Sequence, residues 1–298
     1  MFRLTLLIPT YNRAQSLLRA LDSVARQTLN PADWECIIID NASTDATAAC
    51  VVRFCEEHPT LHIRLVREER QGVSYARNRG IEEATTEWIC SIDDDERVNP
   101  EFLEHYLHLF ESRPEVQIVG GRIIAEYEQE RPVWMSRWTE QPIANPIDLG
   151  REVRPFPRGV LPGGGNMGFH RSVARRIGFA TELGRVGNCL IGGEENDFFL
   201  RAAQQGYQLW YLPDAVMWHI IPPEKCTEEY LRRLAYHNGI SQRRRAELRG
   251  GVGWLRVREV MKWCATLLLS CTMRAPQRRM MWLMRREIGR GIFQKTTK

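Results

Sequence analysis

Short apolar segments alternate with helix-like segments through the first 120 residues, and this alternation constrains the fold more than any other feature of the chain. Four segments have the pattern of strands: LTLLIP (4–9), WECIIID (34–40), LHIRLVR (61–67) and EWICSID (87–93). Between the first two, Leu17, Leu21 and Val24 recur at helical spacing. Successive strand–helix units predict an α/β, Rossmann-like fold in which helices flank a mostly parallel central sheet.

Polar residues follow three of these strands at the points where the strands end. They are Thr10-Tyr11-Asn12-Arg13, Asp40-Asn41 and Asp93-Asp94-Asp95. Ligands of open α/β sheets bind outside the carboxyl ends of the strands. The sequence therefore predicts one ligand site along this rim.

The aspartate cluster at 93–95 is the strongest chemical feature of the chain. Three adjacent carboxylates repel one another, so packing explains them poorly. Mg²⁺ and Mn²⁺ prefer such oxygen ligands and take one or two carboxylates together with substrate phosphates. In an extended backbone Asp93 and Asp95 face one way and Asp94 the other, so one acid can meet a metal while another meets ligand hydroxyls. A solvated loop that caps the next helix is the alternative.

A second acidic group, Glu194-Glu195, follows two glycines at the predicted start of a helix. The helix dipole favours acids at this position, which is a sufficient structural explanation. A carboxylate placed there can also act as a general base toward an attacking hydroxyl.

His219 lies in the apolar segment MWHIIPP. A single histidine in such surroundings is more often a core residue than a ligand. Imidazole nevertheless suits Mn²⁺, and a site built on few carboxylates would have room for it.

Charge is distributed unevenly along the chain. Residues 225–298 contain 18 Lys and Arg against 5 Asp and Glu, whereas residues 1–224 contain 23 against 32. The basic part also carries tryptophans and Leu/Met-rich stretches, a composition typical of helices at the depth of lipid headgroups. We expect a helical, basic, amphipathic extension on an anionic membrane surface; packing of its apolar face on the body is the alternative. No nucleic-acid-binding signature accompanies the charge.

Taken in chain order, these segments resemble the family 2 glycosyltransferases of GT-A fold. The matching segments are IPTYNR (8–13), Asp40, GVSYARNRGI (72–81), the aspartates 93–95, GGGNMGF (163–169), GGEENDFFLRA (192–202) and WHIIPPEKCTEEYLRRLAYHNGIS (218–241). The resemblance implies a catalytic domain over residues 1–224, with a nucleotide-binding half to about 125 and an acceptor half from about 126, followed by the extension 225–298. Members of this family are inverting enzymes that use a nucleotide sugar and a divalent metal, and many build bacterial surface polysaccharides.

The resemblance also implies a role for individual residues. The residues expected to bind the nucleotide are Pro9, Thr10, Tyr11, Arg13, Asp40, Arg70, Arg77, Asp93 and Asp94. Among them, Asp40 would read the uracil ring, and Arg70 and Arg77 would lie near the nucleotide or its phosphates. Asp95 and His219 would hold the metal, Mn²⁺ or Mg²⁺. Glu195 matches the catalytic base, but the family usually has Glu-Asp where this chain has Glu194-Glu195, so Glu194 is a rival.

The expected function is transfer of a sugar, most readily from a UDP-sugar, to a hydroxyl of a saccharide or lipid-linked saccharide. A catalytically silent membrane scaffold would be expected to have lost the acids, and a sugar nucleotidyltransferase usually carries a glycine-rich N-terminal phosphate loop; IPTYNR is not one. Eight cysteines without a CxxC pair indicate reduced thiols. We therefore expect a cytoplasmic protein, peripheral at the inner face of the cell membrane.

Overall fold

The computed structural model describes residues 1–187 and 190–294, and within them nine β-strands and ten α-helices. The strands are β1 (Leu4–Thr10), β2 (Trp34–Asp40), β3 (Ile63–Arg67), β4 (Trp88–Ser91), β5 (Glu96–Val98), β6 (Ile118–Tyr127), β7 (Arg154–Pro155), β8 (Met167–His170) and β9 (Leu209–Ile221). The helices are α1 (Ala14–Val24), α2 (Thr47–Glu57), α3 (Val73–Glu83), α4 (Phe102–Ser112), α5 (Arg137–Ala144), α6 (Arg171–Ile177), α7 (Glu194–Gln204), α8 (Glu228–Arg249), α9 (Val252–Ser270) and α10 (Ala275–Phe293).

The strands form one sheet in the order β3-β2-β1-β4-β8-β6-β9-β5, with β7 paired to β9. Strands β3, β2, β1 and β4 are parallel, as the strand–helix alternation predicts. Strand β8 enters between β4 and β6 and runs antiparallel to both, and β5 pairs antiparallel with β9. The four predicted strands thus form the parallel part of this α/β sheet, and β8, β5 and β7 add antiparallel pairings to it.

Apolar residues fill both faces of the parallel strands. Every residue of β1 and β2 is buried. On one face Leu6 and Ile38 belong to a core cluster that includes Phe102 of α4, and on the other Leu7 and Ile37 join a cluster with residues of α3, α6 and α7. The period of two along each strand separates these clusters. The polar residues of β1 and β2 consequently lie near the ends of the two strands.

Residues Ala125–Pro146, Leu183–Gly193 and the chain from Ile221 onward form a second compact unit. Its apolar core includes Met135 and Ile143 together with Leu231, Met284 and Ile288 of the C-terminal helices. This unit thus combines two earlier segments of the chain with the C-terminal helices. The roles expected for 1–125, 126–224 and 225–298 remain predictions.

The span 126–162, which shows no clear period in the sequence, contains helix α5. Ser136 begins the helix with a capping box in which Ser136 and Thr139 satisfy each other's backbone N–H groups. This local signal lies within a stretch rich in Pro, Trp and Arg, which obscures it.

Across the described residues, no helix combines the length and apolar character that crossing a bilayer requires.

Helices α8 and α10 approach each other closely at two glycines. A Cβ atom added to Gly239 would overlap the carbonyl oxygen of Ile288, and one added to Gly291 would overlap that of Tyr236. The backbones therefore touch where no side chain intervenes.

Replacing Gly239 by alanine should lower the thermal midpoint of unfolding, because the new methyl group forces α8 and α10 apart. We expect a cost of about 1–3 kcal/mol, the usual range for an overpacked core. Circular dichroism melts of the full chain would measure it.

The control is Gly253→Ala in α9, where an added Cβ meets no atom within 4 Å. Alanine should be neutral or stabilising there by up to about 1 kcal/mol, because glycine is the poorer helix former. Equal midpoints for the two variants would contradict the close approach of α8 and α10.

Candidate active site

The ends of β1 and β4 meet at the rim of the sheet. Asp93, Asp94 and Asp95 lie in the short connection from β4 to β5. Thr10 Oγ1 donates a hydrogen bond of 2.7 Å to Asp94 Oδ2. Arg13 Nη1 lies 2.9 Å from Asp95 Oδ2 and 3.4 Å from Asp94 Oδ1. The aspartates therefore lie beside the loop that follows β1.

The other residues predicted in this loop flank the same place. Pro9 is buried near the end of β1, and Tyr11 is half-buried directly after the strand. Asn12 adopts a left-handed backbone conformation with φ of 51°. Its side-chain oxygen accepts a hydrogen bond of 2.7 Å from the backbone N–H of Thr44, which ties the loop after β1 to the loop after β2.

Asp40 ends β2 and is almost fully buried. Its Oδ1 accepts a hydrogen bond of 2.9 Å from the backbone N–H of Ser43, and its Oδ2 one of 3.1 Å from Arg67 Nη1. The carboxylate is thus oriented at the strand end by two fixed donors. The sequence pattern did not single out Arg67.

Arg70 is placed differently from the other predicted nucleotide residues. Its side chain is exposed and pairs with Glu68 at 2.8 and 2.9 Å, and its guanidinium lies 4.8 Å from the centre of the Tyr75 ring. The buried Asn41 fixes this segment, since its amide nitrogen donates to the carbonyl oxygens of Glu68 and Arg70. The described contacts of Arg70 are therefore with its own segment and not with the aspartates.

His219 faces Asp95 across the pairing of β5 with β9. Strand register places His219 opposite Glu96, and its Nε2 lies 3.8 Å from Asp95 Oδ2. Carboxylate oxygen and imidazole nitrogen both suit Mn²⁺, so Asp95 and His219 are the residues that would hold a divalent ion here.

The donor set fits a metal that shares its coordination shell with a substrate. In the described ranges no three His, Cys, Asp or Glu side chains are arranged as a metal cage. Mg²⁺ and Mn²⁺ sites built on one or two protein ligands take the remaining oxygens from water and phosphate. Asp95 and His219 therefore suit a metal that binds together with a diphosphate.

Arg77 connects the aspartates to the second acidic group. It is buried on α3, and its Nη2 lies 2.9 Å from Asp93 Oδ1 while its Nη1 pairs with Glu194. Glu194 is only 4% exposed. A buried carboxylate that pairs with a buried guanidinium is fixed at one position by short, charge-assisted hydrogen bonds.

Glu195 has different surroundings from its neighbour Glu194. It is half-buried, and a Cβ atom added to Gly164 would lie 3.0 Å from its Cγ atom and 3.3 Å from Arg77 Nη2. Burial, reinforced by the charge of Glu194, raises the pKa of Glu195 to about 8. The two adjacent glutamates therefore differ in exposure, and Glu194 is the one that makes the direct ion pair with Arg77.

Glu96 belongs to the site although sequence reasoning passed over it. Its buried carboxylate accepts a hydrogen bond of 2.7 Å from the backbone N–H of Asp93, and a Cβ atom on Gly165 would overlap it. Burial, and then the charges of Asp93 and Asp95, raise its pKa. The only signal was that the acidic run continues for one more residue.

Known proteins share this architecture. A glucosyl-dolichyl phosphate glucuronosyltransferase of Haloferax volcanii is 23% identical over 253 residues, which is 81% of this chain and 76% of the relative. The mannosyltransferase PcManGT from Pyrobaculum calidifontis, solved in complex with GDP-Man and Mn²⁺, has a TM-score of 0.65 and 20% identity over 99% of this chain and 88% of its own. S. aureus TarS 1–349, solved in complex with UDP-GlcNAc, has a TM-score of 0.56 and 16% identity over 98% and 90% of the two chains.

These likenesses confirm the GT-A fold with C-terminal helices that the sequence predicted. Residues 5–178, more than half of the chain, match the model of the family described as "Glycosyl transferase family 2". The strands and acids of the rim from Thr10 to Asp95 lie within that range. The chain is therefore a glycosyltransferase and belongs to glycosyl transferase family 2.

Proposed function

We propose that this glycosyltransferase moves a sugar from a nucleotide sugar to an acceptor hydroxyl by direct, inverting displacement. The observation that carries the proposal is that Arg77 forms ion pairs with both Asp93 and Glu194. Arg77 thereby connects the segment of the proposed metal ligand, Asp95, with that of the proposed base, Glu195. Leaving-group stabilisation and deprotonation are the two tasks that the transfer requires.

The donor is a nucleotide sugar, with UDP-sugars favoured. The two solved relatives hold GDP-Man and UDP-GlcNAc, which supports a nucleotide-sugar site in this chain. Asp40 is fixed at the end of β2 and would accept the N–H of a uracil ring. Thr10, Asp94 and Asp93 lie next along the rim and would meet the uridine and ribose hydroxyls, with Pro9, Tyr11 and Arg13 around them.

The leaving diphosphate gains negative charge as the glycosidic bond breaks. Asp95 and His219 would hold Mn²⁺ or Mg²⁺ beside it, and such an ion, when bound, neutralises this charge without proton transfer. Arg13 presents a guanidinium at the same Asp95 oxygen, and Arg77 a second one at Asp93. These cations favour the charge that develops in the transition state.

Glu195 is the base of the proposed reaction. It accepts the proton of the acceptor hydroxyl while that oxygen attacks the anomeric carbon from the face opposite the diphosphate. The carbon–oxygen bond to the diphosphate breaks, and its electron pair leaves with the diphosphate. Glu194 is engaged with Arg77, which supports Glu195 rather than Glu194 in this role.

The acceptor is a saccharide or a lipid-linked saccharide used in surface polysaccharide synthesis. The name of the Haloferax volcanii relative refers to a glucosyl-dolichyl phosphate, which supports a lipid-linked acceptor. The basic extension, with 18 cationic against 5 acidic residues, supports a peripheral location at the inner face of the membrane. Retention of both acidic groups speaks against a silent scaffold.

Glu195→Gln should lose sugar transfer by about 10²–10⁴-fold, because the amide cannot take a proton, while nucleotide binding persists. Donor turnover and calorimetric titration of UDP would measure the two properties on the same preparation. Glu115→Gln, an exposed glutamate between α4 and β6, is the matched control and should behave as wild type. Near wild-type turnover of Glu195→Gln, with turnover lost in Glu194→Gln, would reverse the assignment of the base.

The rate of transfer should rise with pH. A base must be ionised to act, so raising the pKa of Glu195 to about 8 leaves it largely protonated below about pH 8 and ionised above. We expect kcat/KM to increase through pH 6–8 and to level off only above about pH 9. A profile that is flat over this range, in enzyme that remains folded, would contradict the role of Glu195.

UDP should bind in a Mn²⁺-dependent manner, and GDP and dTDP at least about tenfold more weakly, a difference of about 1.4 kcal/mol. Calorimetric titration of each nucleotide with and without Mn²⁺ measures this. Asp95→Asn should abolish the metal dependence, and Asp214→Asn, an exposed aspartate on β9, should retain it. Tighter binding of GDP than of UDP would contradict the assignment of a UDP-sugar as donor. If the folded protein bound no nucleotide, the proposed nucleotide site would be wrong.

A further inference from the structure

Helix α9 has its polar and apolar faces reversed relative to a helix of a soluble protein. The residues that it buries are Leu255, Glu259, Thr266 and Ser270, three of which are polar. Surface helices normally direct apolar residues inward and polar ones outward. Packing within the protein therefore does not account for most of the apolar residues of α9.

The buried polar groups of α9 are satisfied within its own unit. Glu259 is 1% exposed and pairs with Arg285 Nη1 of α10 at 3.1 and 3.2 Å. Thr266 and Ser270 donate to the carbonyl oxygens of Lys262 and Leu267, each at 2.8 Å. The ion pair with α10 thus fixes which side of α9 faces inward, and the local hydrogen bonds satisfy the buried hydroxyl groups.

The outward side of α9 is apolar along its length. Its exposed residues there are Trp254, Val257, Val260, Met261, Cys264, Ala265, Leu267 and Leu268. Exposed fractions of the large side chains run from 51% for Val257 to 73% for Leu268. At 3.6 residues per turn these positions cover an arc of about 160°, much wider than scattered surface apolar residues would produce.

Cationic residues border this arc on both sides. On a helical projection Arg256 lies at one edge, and Arg258 and Lys262 lie at the other. Between residues 252 and 279 the sequence has six Lys and Arg against a single acid, Glu259, which is buried. Long cationic side chains at the edges of an apolar face can reach phosphate groups while their stems cover apolar surface.

We infer that the outward face of α9 lies in the headgroup layer of an anionic lipid bilayer, with its axis parallel to the membrane. The apolar arc would enter the boundary of the acyl chains, and the flanking cations would meet lipid phosphates. The six cations make a bilayer a better partner than a second copy of this chain, which would bring the same charge.

This inference rests on the membrane location proposed above and names the element that makes the contact. Vesicle binding needs neither donor nor acceptor. Its failure would leave the glycosyltransfer reaction untouched, and a failure of nucleotide binding would leave this inference untouched.

The test is co-sedimentation of the full chain with sucrose-loaded vesicles of phosphatidylcholine alone or with one quarter phosphatidylglycerol. Wild type should partition more strongly onto the anionic vesicles. Met261→Gln/Leu268→Gln should lower that partition coefficient by about tenfold or more, because it removes apolar area without changing charge.

The matched control is Val52→Gln/Val133→Gln, which removes two exposed apolar side chains elsewhere on the chain. It should partition as wild type does, and circular dichroism melts would check the fold of both variants. Equal partition of wild type and Met261→Gln/Leu268→Gln, or no vesicle binding by wild type, would overturn the inference. Equal binding of wild type to both kinds of vesicle would also overturn it. A wild-type dimer in light scattering that becomes a monomer in Met261→Gln/Leu268→Gln would overturn it as well, because a second copy of the chain would then cover this face.

Discussion

The buried guanidinium of Arg77 pairs with two carboxylates that come from distant parts of the chain, Asp93 and Glu194. A buried cation without partners would cost several kcal/mol, and so would the buried carboxylate of Glu194 alone, whereas the Asp93 side chain is 35% exposed. The pairing also distinguishes two adjacent glutamates. Glu194 is engaged by Arg77, whereas burial and the charge of Glu194 raise the pKa of Glu195. The two residues are of the same type, so their different surroundings give them different roles in the proposed reaction.

The location of the site follows from the packing of the sheet. Strands β1 and β2 are buried along their whole length, and the two acids of β2, Glu35 and Asp40, lie near its opposite ends. At the carboxyl ends of the strands Thr10, Asp40 and Asp94 are held by hydrogen bonds to neighbouring loops. A rigid apolar support of this kind keeps polar side chains in a fixed arrangement before a ligand arrives.

In helix α9, by contrast, a charged group is buried and apolar groups are exposed. The ion pair between Glu259 and Arg285 occupies the interior, and most apolar residues of the helix lie on its outward side. Burying an ion pair is rarely the most stabilising choice for a protein core. Its presence is consistent with a helix whose outward face has a use of its own, as we infer for the lipid surface.

Local patterns in the sequence determined the α/β fold class, the four parallel strands, the polar rim and the family resemblance, because periodicity and strand-end composition are readable within short windows. Tertiary structure alone decided the direction of β5, β8 and β9, since pairing partners distant in sequence set it. It also brought Glu96 to Asp93 and directed Arg70 away from the aspartates. The composition of the C-terminal helices predicted their amphipathic character, but only the partner of Glu259 decided which face of α9 points outward. A side chain's chemistry is local, whereas its neighbours depend on how the whole chain packs.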